Sequence, residues 1–374
     1  MEFKIAKKDF LEGLAQTQGV VEKKNTMPVL SNVLLEGTVS QAEKQGLKIS
    51  ATDLEVAVVC QCPAQVLQGG KITVPARSLH DIVREVDQTE MTIKVDAQDR
   101  LELISGSSRF KIPGLNAKEF PSLPKVEAKS VEVPCEFFRN MVEKTSFSMS
   151  TDETRYNLNG VLLHKEGVSK EKEGEIRMVA TDGHRLALVD QKVPAGFETI
   201  KIIIPRKGVS ELRKMVSGEG SFELGLGPKN LFARKGSVSL YIRLVDGEYP
   251  DYSRVIPKDN DKIASIPRTP FIGALRRVSL LSNERSRGVV LSLSSGHLEV
   301  STNNPDLGEA REEIMIDYKG PNMNIGFNAR YFLDVLDVIR DEKIVLAFKD
   351  ELSPCLIRSE YDRGFQSVIM PMRI

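Results

Sequence analysis

Net charge is the first thing this chain lacks: 52 Lys and Arg face 52 Asp and Glu, so the formal balance is zero. No global field draws the molecule to nucleic acid or to an anionic membrane, and any polyanion site must be local. Long hydrophobic runs are missing too. Nothing approaches the ~20 apolar residues that span a bilayer. The opening Met1-Glu2-Phe3-Lys4-Ile5-Ala6-Lys7-Lys8 interleaves charge with apolar residues where a signal peptide would have an apolar core. A cytoplasmic location is expected. Cysteine is sparse: Cys60, Cys62, Cys135 and Cys355 fit neither paired Cys-x-x-Cys zinc knuckles nor a disulfide framework, and are expected to be reduced and structural. The four histidines, His80, His164, His184 and His297, are accompanied by no Gly-x-Ser-x-Gly, Walker or His-Glu-x-x-His spacing. His184 beside Asp182 invites a base-and-carboxylate reading. A turn explains both residues, so no catalysis is expected.

What is present is repetition. A chain of 374 residues is too long for one core, since single cores stop growing at roughly 250 to 300 residues. Its 41% apolar and 28% charged residues are ordinary for a globular protein. The stretch that organises it is 179–189, Val-Ala-Thr-Asp-Gly-His-Arg-Leu-Ala-Leu-Val. An apolar β-like run breaks at Asp182-Gly183 and resumes as an alternating strand, which predicts a hairpin with His184 and Arg185 at a charged tip. The same construction recurs at 49–58 around Thr52-Asp53 and, altered, at 300–305 around Asn304. Three landmarks share one separation of 129 residues: the corner (53 to 182), a basic helix start (Arg77 to Arg206, 77 to 206) and a closing proline (121 to 250). Third copies follow at Asn304, Arg330 and Pro371. Repeats of this kind fix the architecture before any residue-level reasoning.

Within each unit two amphipathic helices are legible. Leu79, Ile82, Val83 and Val86, and likewise Phe332, Val335, Leu336 and Ile339, follow the i, i+3, i+4, i+7 spacing. Further helices are expected at 10–21, 137–147, 207–216 and 271–281, six in all. Segments rich in β-branched residues at 29–35, 47–51, 91–95, 101–105, 238–244 and 344–348 read as strands. An α+β fold follows, an antiparallel sheet covered by helices on one face. The expected domains are 1–125, 126–257 and 258–374, with linkers near 124–130 and 257–265. The helices are more basic than the whole chain. Arg206, Lys207, Arg213 and Lys214 stack along one edge with only Glu211 nearby, and Arg268, Arg276 and Arg277 meet no acid before Glu284. Such a face is either simply solvated or turned toward phosphates. Acid concentrates instead at Asp306, Glu309, Glu312 and Glu313.

Three tandem units, the corner Ala180-Thr181-Asp182-Gly183-His184-Arg185-Leu186, the segment Tyr249-Pro250-Asp251-Tyr252-Ser253-Arg254-Val255 and the terminal Val368-Ile369-Met370-Pro371-Met372-Arg373-Ile374 together resemble the bacterial β sliding clamp family, the processivity subunit of DNA polymerase III. The resemblance spans the whole chain. It implies the DNA clamp fold in three copies, and a head-to-tail homodimer closing a six-domain ring with helices lining the hole. It implies no enzymatic activity and no cofactor. The ring would encircle double-stranded DNA without reading its bases, and short peptides would tether partners: the clamp loader, the polymerase III catalytic subunit, other polymerases and mismatch-repair proteins. The DNA-facing residues implied are Lys24, Tyr156, Arg206 and Lys207. The implied peptide groove comprises Leu158, Thr181, Gly183, His184, Arg185, Leu186, Pro250, Arg254, Val255, Asn328, Tyr331, Leu352, Val368, Ile369, Met370, Pro371, Met372, Arg373 and Ile374. The implied dimer contact pairs Arg109, Phe110 and Ile112 with Leu280, Leu281, Asp306, Glu309, Glu312 and Glu313. Leu280 and Leu281 have a second reading, burial within their own domain. Asn157, Ser286 and Pro354 depart from the family pattern, where an aromatic, a bulky aromatic and a small hydroxyl residue are common. A repeat-built adaptor that does not bind DNA is the other class to exclude, and it would be a monomer or an open filament.

Overall fold

The computed structural model describes residues 1–21, 27–39, 46–124, 129–165, 174–192, 199–284 and 286–374. They form two compact units: 1–136 with 207–244, and 137–206 with 245–374. The six expected α-helices are present: α1 Lys7–Thr17, α2 Ala76–Glu85, α3 Cys135–Thr145, α4 Arg206–Met215, α5 Arg268–Val278 and α6 Ala329–Val338. Each begins at the residue after a strand ends. Four of those strands end on proline, at Pro75, Pro134, Pro205 and Pro267. Proline has no N–H for the ladder and a φ already close to helical, so it ends the strand and starts the next element. Asn328 does the same work before α6 by side-chain capping, its Oδ1 accepting from Arg330 N at 2.9 Å. The helices start one to three residues ahead of the expected 10, 137, 207 and 271. Apolar periodicity detects the first buried residue, such as Phe10 or Phe271, and misses the polar first turn.

In the first unit, a five-stranded sheet runs in the order Gln65–Gln68, Glu2–Ala6, Glu90–Val95, Arg100–Ser105, Ser108–Pro113. An eight-stranded sheet runs Ser130–Pro134, Ser221–Leu226, Asn230–Lys235, Val238–Arg243, Val56–Cys62, Gly46–Thr52, Asn32–Thr38, Gly70–Pro75. In the second unit, the eight strands are Ile200–Pro205, Gly160–Lys165, Glu175–Thr181, Arg185–Lys192, Phe365–Ile369, Cys355–Arg358, Lys343–Phe348 and Lys262–Pro267. The four-stranded sheet there is Gly308–Met315, His297–Asn304, Gly288–Ser294, Met323–Asn328. Two sequence expectations need correcting. Segment 29–35 is not one strand: Pro28 opens a 3₁₀ turn, Pro28–Ser31, and the strand follows as Asn32–Thr38. The expected linker 257–265 contains the start of the strand Lys262–Pro267, whose register against Lys343–Phe348 is continuous.

Sequence repeats do not coincide with the compact units, because each eight-stranded sheet joins strands from two successive repeats. Val238–Arg243 pairs antiparallel with Val56–Cys62, placing Leu240 opposite Val58 and Ile242 opposite Val56. Phe365–Ile369 pairs in the same way with Arg185–Lys192, placing Val368 opposite Leu186 and Ile369 opposite Arg185. Burying these edges against each other removes exposed ladder groups. Helices lie closely on the sheets. A Cβ on Gly13 of α1 would stand 2.3 Å from Cys62 Sγ and 2.9 Å from Ile49 Cδ1. Under α5 and α6, Phe332 meets Phe271 and Phe327 edge-on at ring separations of 5.6 and 5.2 Å. All four cysteines are buried and free. Among the described residues no His, Cys, Asp and Glu grouping is suited to a metal ion, and no helix is long and apolar enough to cross a membrane.

Candidate functional site

The corner at Thr181-Asp182-Gly183-His184-Arg185 is built from its own side chains. Asp182 Oδ1 accepts from His184 N at 2.9 Å and from Arg185 N at 3.0 Å, while Thr181 Oγ1 donates to Arg185 O at 2.6 Å and accepts from Gly183 N at 3.1 Å. Short polar side chains close such turns by substituting for backbone partners. Gly183 supplies φ +91°, in the left-handed region that favours glycine. The first copy repeats the pattern: Asp53 Oδ1 accepts from Glu55 N and Val56 N at 3.0 and 2.7 Å, and Thr52 Oγ1 bonds Val56 O and Leu54 N. The third is the altered one, with Asn304 Oδ1 capping Asp306 N and Gly308 at φ +106°. Asp182 thus spends one oxygen on the backbone and the other on Arg185 Nε at 3.1 Å. It meets His184 through the backbone N–H, so the pair is a turn and not a general base with its carboxylate.

Only half of the expected charged tip is exposed. His184 faces solvent, but the Arg185 side chain is 10% exposed and points inward. Its guanidinium binds Asp182, Asp334 of α6 and the Phe147 carbonyl, and lies over the rings of Tyr331 and Phe147 at 4.6 and 5.6 Å. Arginine suits this role, since its planar fork satisfies several acceptors while its face stacks on aromatics. Arg185 therefore fastens the corner to α6. Neither Asp334 nor Phe147 carries a sequence signal for this contact, because both read as ordinary helical residues.

Around this clamp the second unit gathers most of the candidate residues. Leu186 and Val368 sit in a buried cluster with Leu162, Val179, Leu188 and Leu356, and Leu158, Tyr252 and Ile256 pack against it half-buried. The carboxyl-terminal segment lies across the corner. Met370 N donates to His184 O at 2.9 Å, and Met372 N donates to Gly326 O at 2.8 Å. A Cβ on Gly326 would come within 2.4 Å of Met372 O and 2.8 Å of Ile374 Cγ1, so only glycine lets the segment approach this strand. Ile374 also covers Gly288, close to Ser286. Apolar side chains stay in solvent along this stretch: Val255, Met370 and Ile374 are exposed, and Leu352 is 79% exposed on a loop fixed by Asp350. Pro354 offers its carbonyl to Asn260 Nδ2, and Asn157 Nδ2 binds Glu248 O next to Pro250, so both departures from the family pattern have local backbone roles. Arg254 is paired with Asp251 at 2.8 Å, and the Ser253 hydroxyl and Arg254 together hold that carboxyl below its ordinary pKa.

The candidate cations are mostly engaged. Lys24 lies outside the described residues. Tyr156 is exposed. Arg206 turns in and donates to the carbonyls of Met149 and Ser150 at 2.7 and 3.0 Å, where burial and the Arg185 charge lower its pKa. Lys207 pairs with Asp53, and Lys214 with Glu211 at 2.6 Å. On α5, Arg268 donates to Leu336 O, Arg276 reaches Asp337, and Arg277 forms a two-bond pair with Glu312. Acids absent from the local sequence arrive from other elements, so a run of cations along a helix does not measure free positive charge. Of the candidate contact residues, Arg109 is exposed, Phe110 half-buried and Ile112 buried on the edge strand Ser108–Pro113. Leu280 is 73% exposed, against the alternative of burial in its own domain, and Leu281 is half-buried. Asp306, Glu309 and Glu313 are exposed beside or on the other edge strand, Gly308–Met315.

Comparison with known proteins agrees with this geometry. Three family models match in order: the DNA polymerase III beta subunit N-terminal domain over residues 1–124, the central domain over 132–251 and the C-terminal domain over 253–373. The chain is 38% identical to the beta sliding clamp of Caulobacter vibrioides over 379 residues and 39% identical to that of Pseudomonas putida over 382, covering all of both chains in each case. Among solved structures it is similar to the Caulobacter crescentus pol III beta (TM-score 0.93, 37% identity) and to a Bartonella birtlesii sliding clamp bound to griselimycin (TM-score 0.93, 36% identity), each over the full length of both chains. A corner clamped by Arg185, a terminal segment laid across it and three matching domains in sequence make this chain a member of the bacterial DNA polymerase III beta subunit family, the sliding clamps.

Proposed function

We propose that this clamp recruits its partners through the surface formed by the corner, residues 250–255, the 349–354 loop and the carboxyl-terminal segment, which would take short peptides with apolar anchors. The family is a non-catalytic processivity factor for DNA replication. The observation that carries the peptide reading is the terminal segment itself. Met370, Met372 and Ile374 are hydrogen-bonded or packed into place by His184 O, Gly326 and Gly288, yet Met370 and Ile374 keep apolar surface in water. Ordered backbone under exposed, adaptable side chains suits Leu and Phe anchors. The peptide donors that the family resemblance implies are the clamp loader, the polymerase III catalytic subunit, other polymerases and mismatch-repair proteins. Met372→Asp is expected to weaken binding of a fluorescent Leu-Phe-containing peptide at least tenfold while leaving the oligomeric state unchanged. Undiminished binding would overturn the placement.

Sheet edges support a ring. The strands Ser108–Pro113 and Gly308–Met315 each end a sheet. By repeat position they are the counterparts of the strands that pair at the two internal junctions, Val238–Arg243 with Val56–Cys62 and Phe365–Ile369 with Arg185–Lys192. Pairing Ser108–Pro113 of one copy with Gly308–Met315 of another would extend the pattern, head to tail, with Arg109 facing the acids Glu309 and Glu313 and Leu280 supplying apolar contact. A homodimer of three domains each, bounded near 125 and 257, then encircles duplex DNA in the cytoplasm. The proposed DNA-side residues are Lys24, Tyr156, Arg206 and Lys207; Arg206 keeps its positive charge while bound to backbone carbonyls, and Lys207 shares its own with Asp53. Contacts of this kind attract phosphates without reading sequence.

A further inference from the structure

The first corner reproduces the hydrogen bonds of the second, but its surroundings differ in a directed way. Antiparallel register places Ile242 opposite Val56 as it places Ile369 opposite Arg185, and Arg243 N donates to Glu55 O at 2.8 Å as Met370 N donates to His184 O at 2.9 Å. Arg243 therefore occupies the position of Met370, Glu55 that of His184, and Leu54 that of Gly183. Leu54 holds φ +79° and is 53% exposed. Folding gains nothing from an apolar side chain kept in solvent on backbone that favours glycine, and strain of this kind gathers at functional sites. Leu54 borders a cavity of about 260 Å³ in the first unit, shared with Pro121, Tyr241, Lys229 and Arg243. The Tyr241 ring is fixed against Phe232 at 5.3 Å. Lys229 and Arg243 are exposed, and among the described residues neither side chain makes an ion pair, while Glu55 is the one acid on the lining.

We infer that this cavity is a second peptide-docking pocket, selective for an extended segment that carries a carboxylate beside an apolar side chain. The carboxylate sits between Lys229 and Arg243, and the apolar group lies against Leu54 and Pro121. Where the second unit presents methionine to apolar anchors, the first presents arginine, so the repeat yields two pockets of different chemistry. A nucleic-acid strand is the poorer fit, because the cavity has room for only one or two side chains. The inference rests on register and charge in the first unit and stands whatever the second unit binds.

The test is anisotropy of a fluorescein-labelled Gly-Asp-Leu-Asp-Gly amide titrated with the full-length protein at low salt. Saturable binding is expected, weakened at least tenfold by the paired substitutions Lys229→Glu and Arg243→Glu, several-fold by Lys229→Gln or Arg243→Gln alone, and by added salt. An uncharged Leu-Leu-Phe peptide should not displace the probe. Four results would overturn the proposal: no saturable binding; equal binding by the paired variant with its melting temperature unchanged; displacement by the uncharged peptide, which would put the probe in the second unit; or tighter binding of a short oligothymidine than of the probe.

Discussion

Replacing Arg185 with Ala removes a guanidinium that two carboxylates, a carbonyl and two aromatic rings surround. Asp182 and Asp334 would be left half-buried without their cation, a loss of about 2 kcal/mol once the full penalty for breaking a buried pair is reduced for partial exposure. Urea unfolding should show the loss, with Arg185→Lys recovering less than half of it, because an ammonium cannot bridge the same acceptors or stack on Tyr331. At this scale the sequence was only partly legible. The Thr-Asp turn could be read because its bonds are local, spanning two to four residues. The inward turn of Arg185 could not, since its partner Asp334 lies 149 residues away. Gly326 was missed for the same reason: its need for a bare Cα comes from a segment that ends the chain.

Between elements, the junctions inside each unit are held by strand pairing plus an ion pair from the corner to the next repeat's second helix, with the sign reversed between copies. In the first unit Asp53 of the corner receives Lys207 of α4, and in the second Arg185 of the corner reaches Asp334 of α6. The Asp53 side chain is 3% exposed. Lys207→Ala is expected to cost about 2 kcal/mol by leaving that carboxylate buried without its partner, with Lys207→Arg close to the parent protein. Denaturant titration of the three proteins measures it. A second element-level prediction concerns acid. Burial raises the Glu36 carboxyl, but Lys48 and Lys71, each 2.5 Å away, outweigh it and hold the pKa below the ordinary 4.5. A carboxyl depressed in the folded state contributes its full stability above the ordinary value and loses it as pH falls through the folded one. Glu36→Gln should therefore flatten the decline in stability below about pH 4.5, a slope read from unfolding at several pH values; an unchanged slope would assign the acid sensitivity elsewhere. Helices and most strands were legible from periodicity. The sheets' passage from one repeat to the next was not, because pairing register between distant strands leaves no periodic trace.

For the whole molecule, composition pointed away from DNA and the repeat pointed toward it. A net charge of zero excludes global attraction, and the structure adds that many helix cations are already paired. Both fit a protein held on DNA by enclosure, with weak and nonspecific contacts to the duplex. The edges at Ser108–Pro113 and Gly308–Met315, unpaired among the described residues, opposite in charge and repeat-equivalent to the internal junctions, would supply the means of closing under the proposed head-to-tail pairing. The family itself was readable from the corner and the terminal segment, because those motifs are local and specific. The two-unit packing that underlies them needed coordinates. Enclosure is tested most directly by loading the protein with its cognate loader and ATP onto nicked circular DNA, then linearising half the sample at moderate salt. Retention on circles with loss from linear molecules is the expected result, and equal loss from both, or equal retention on both, would contradict it.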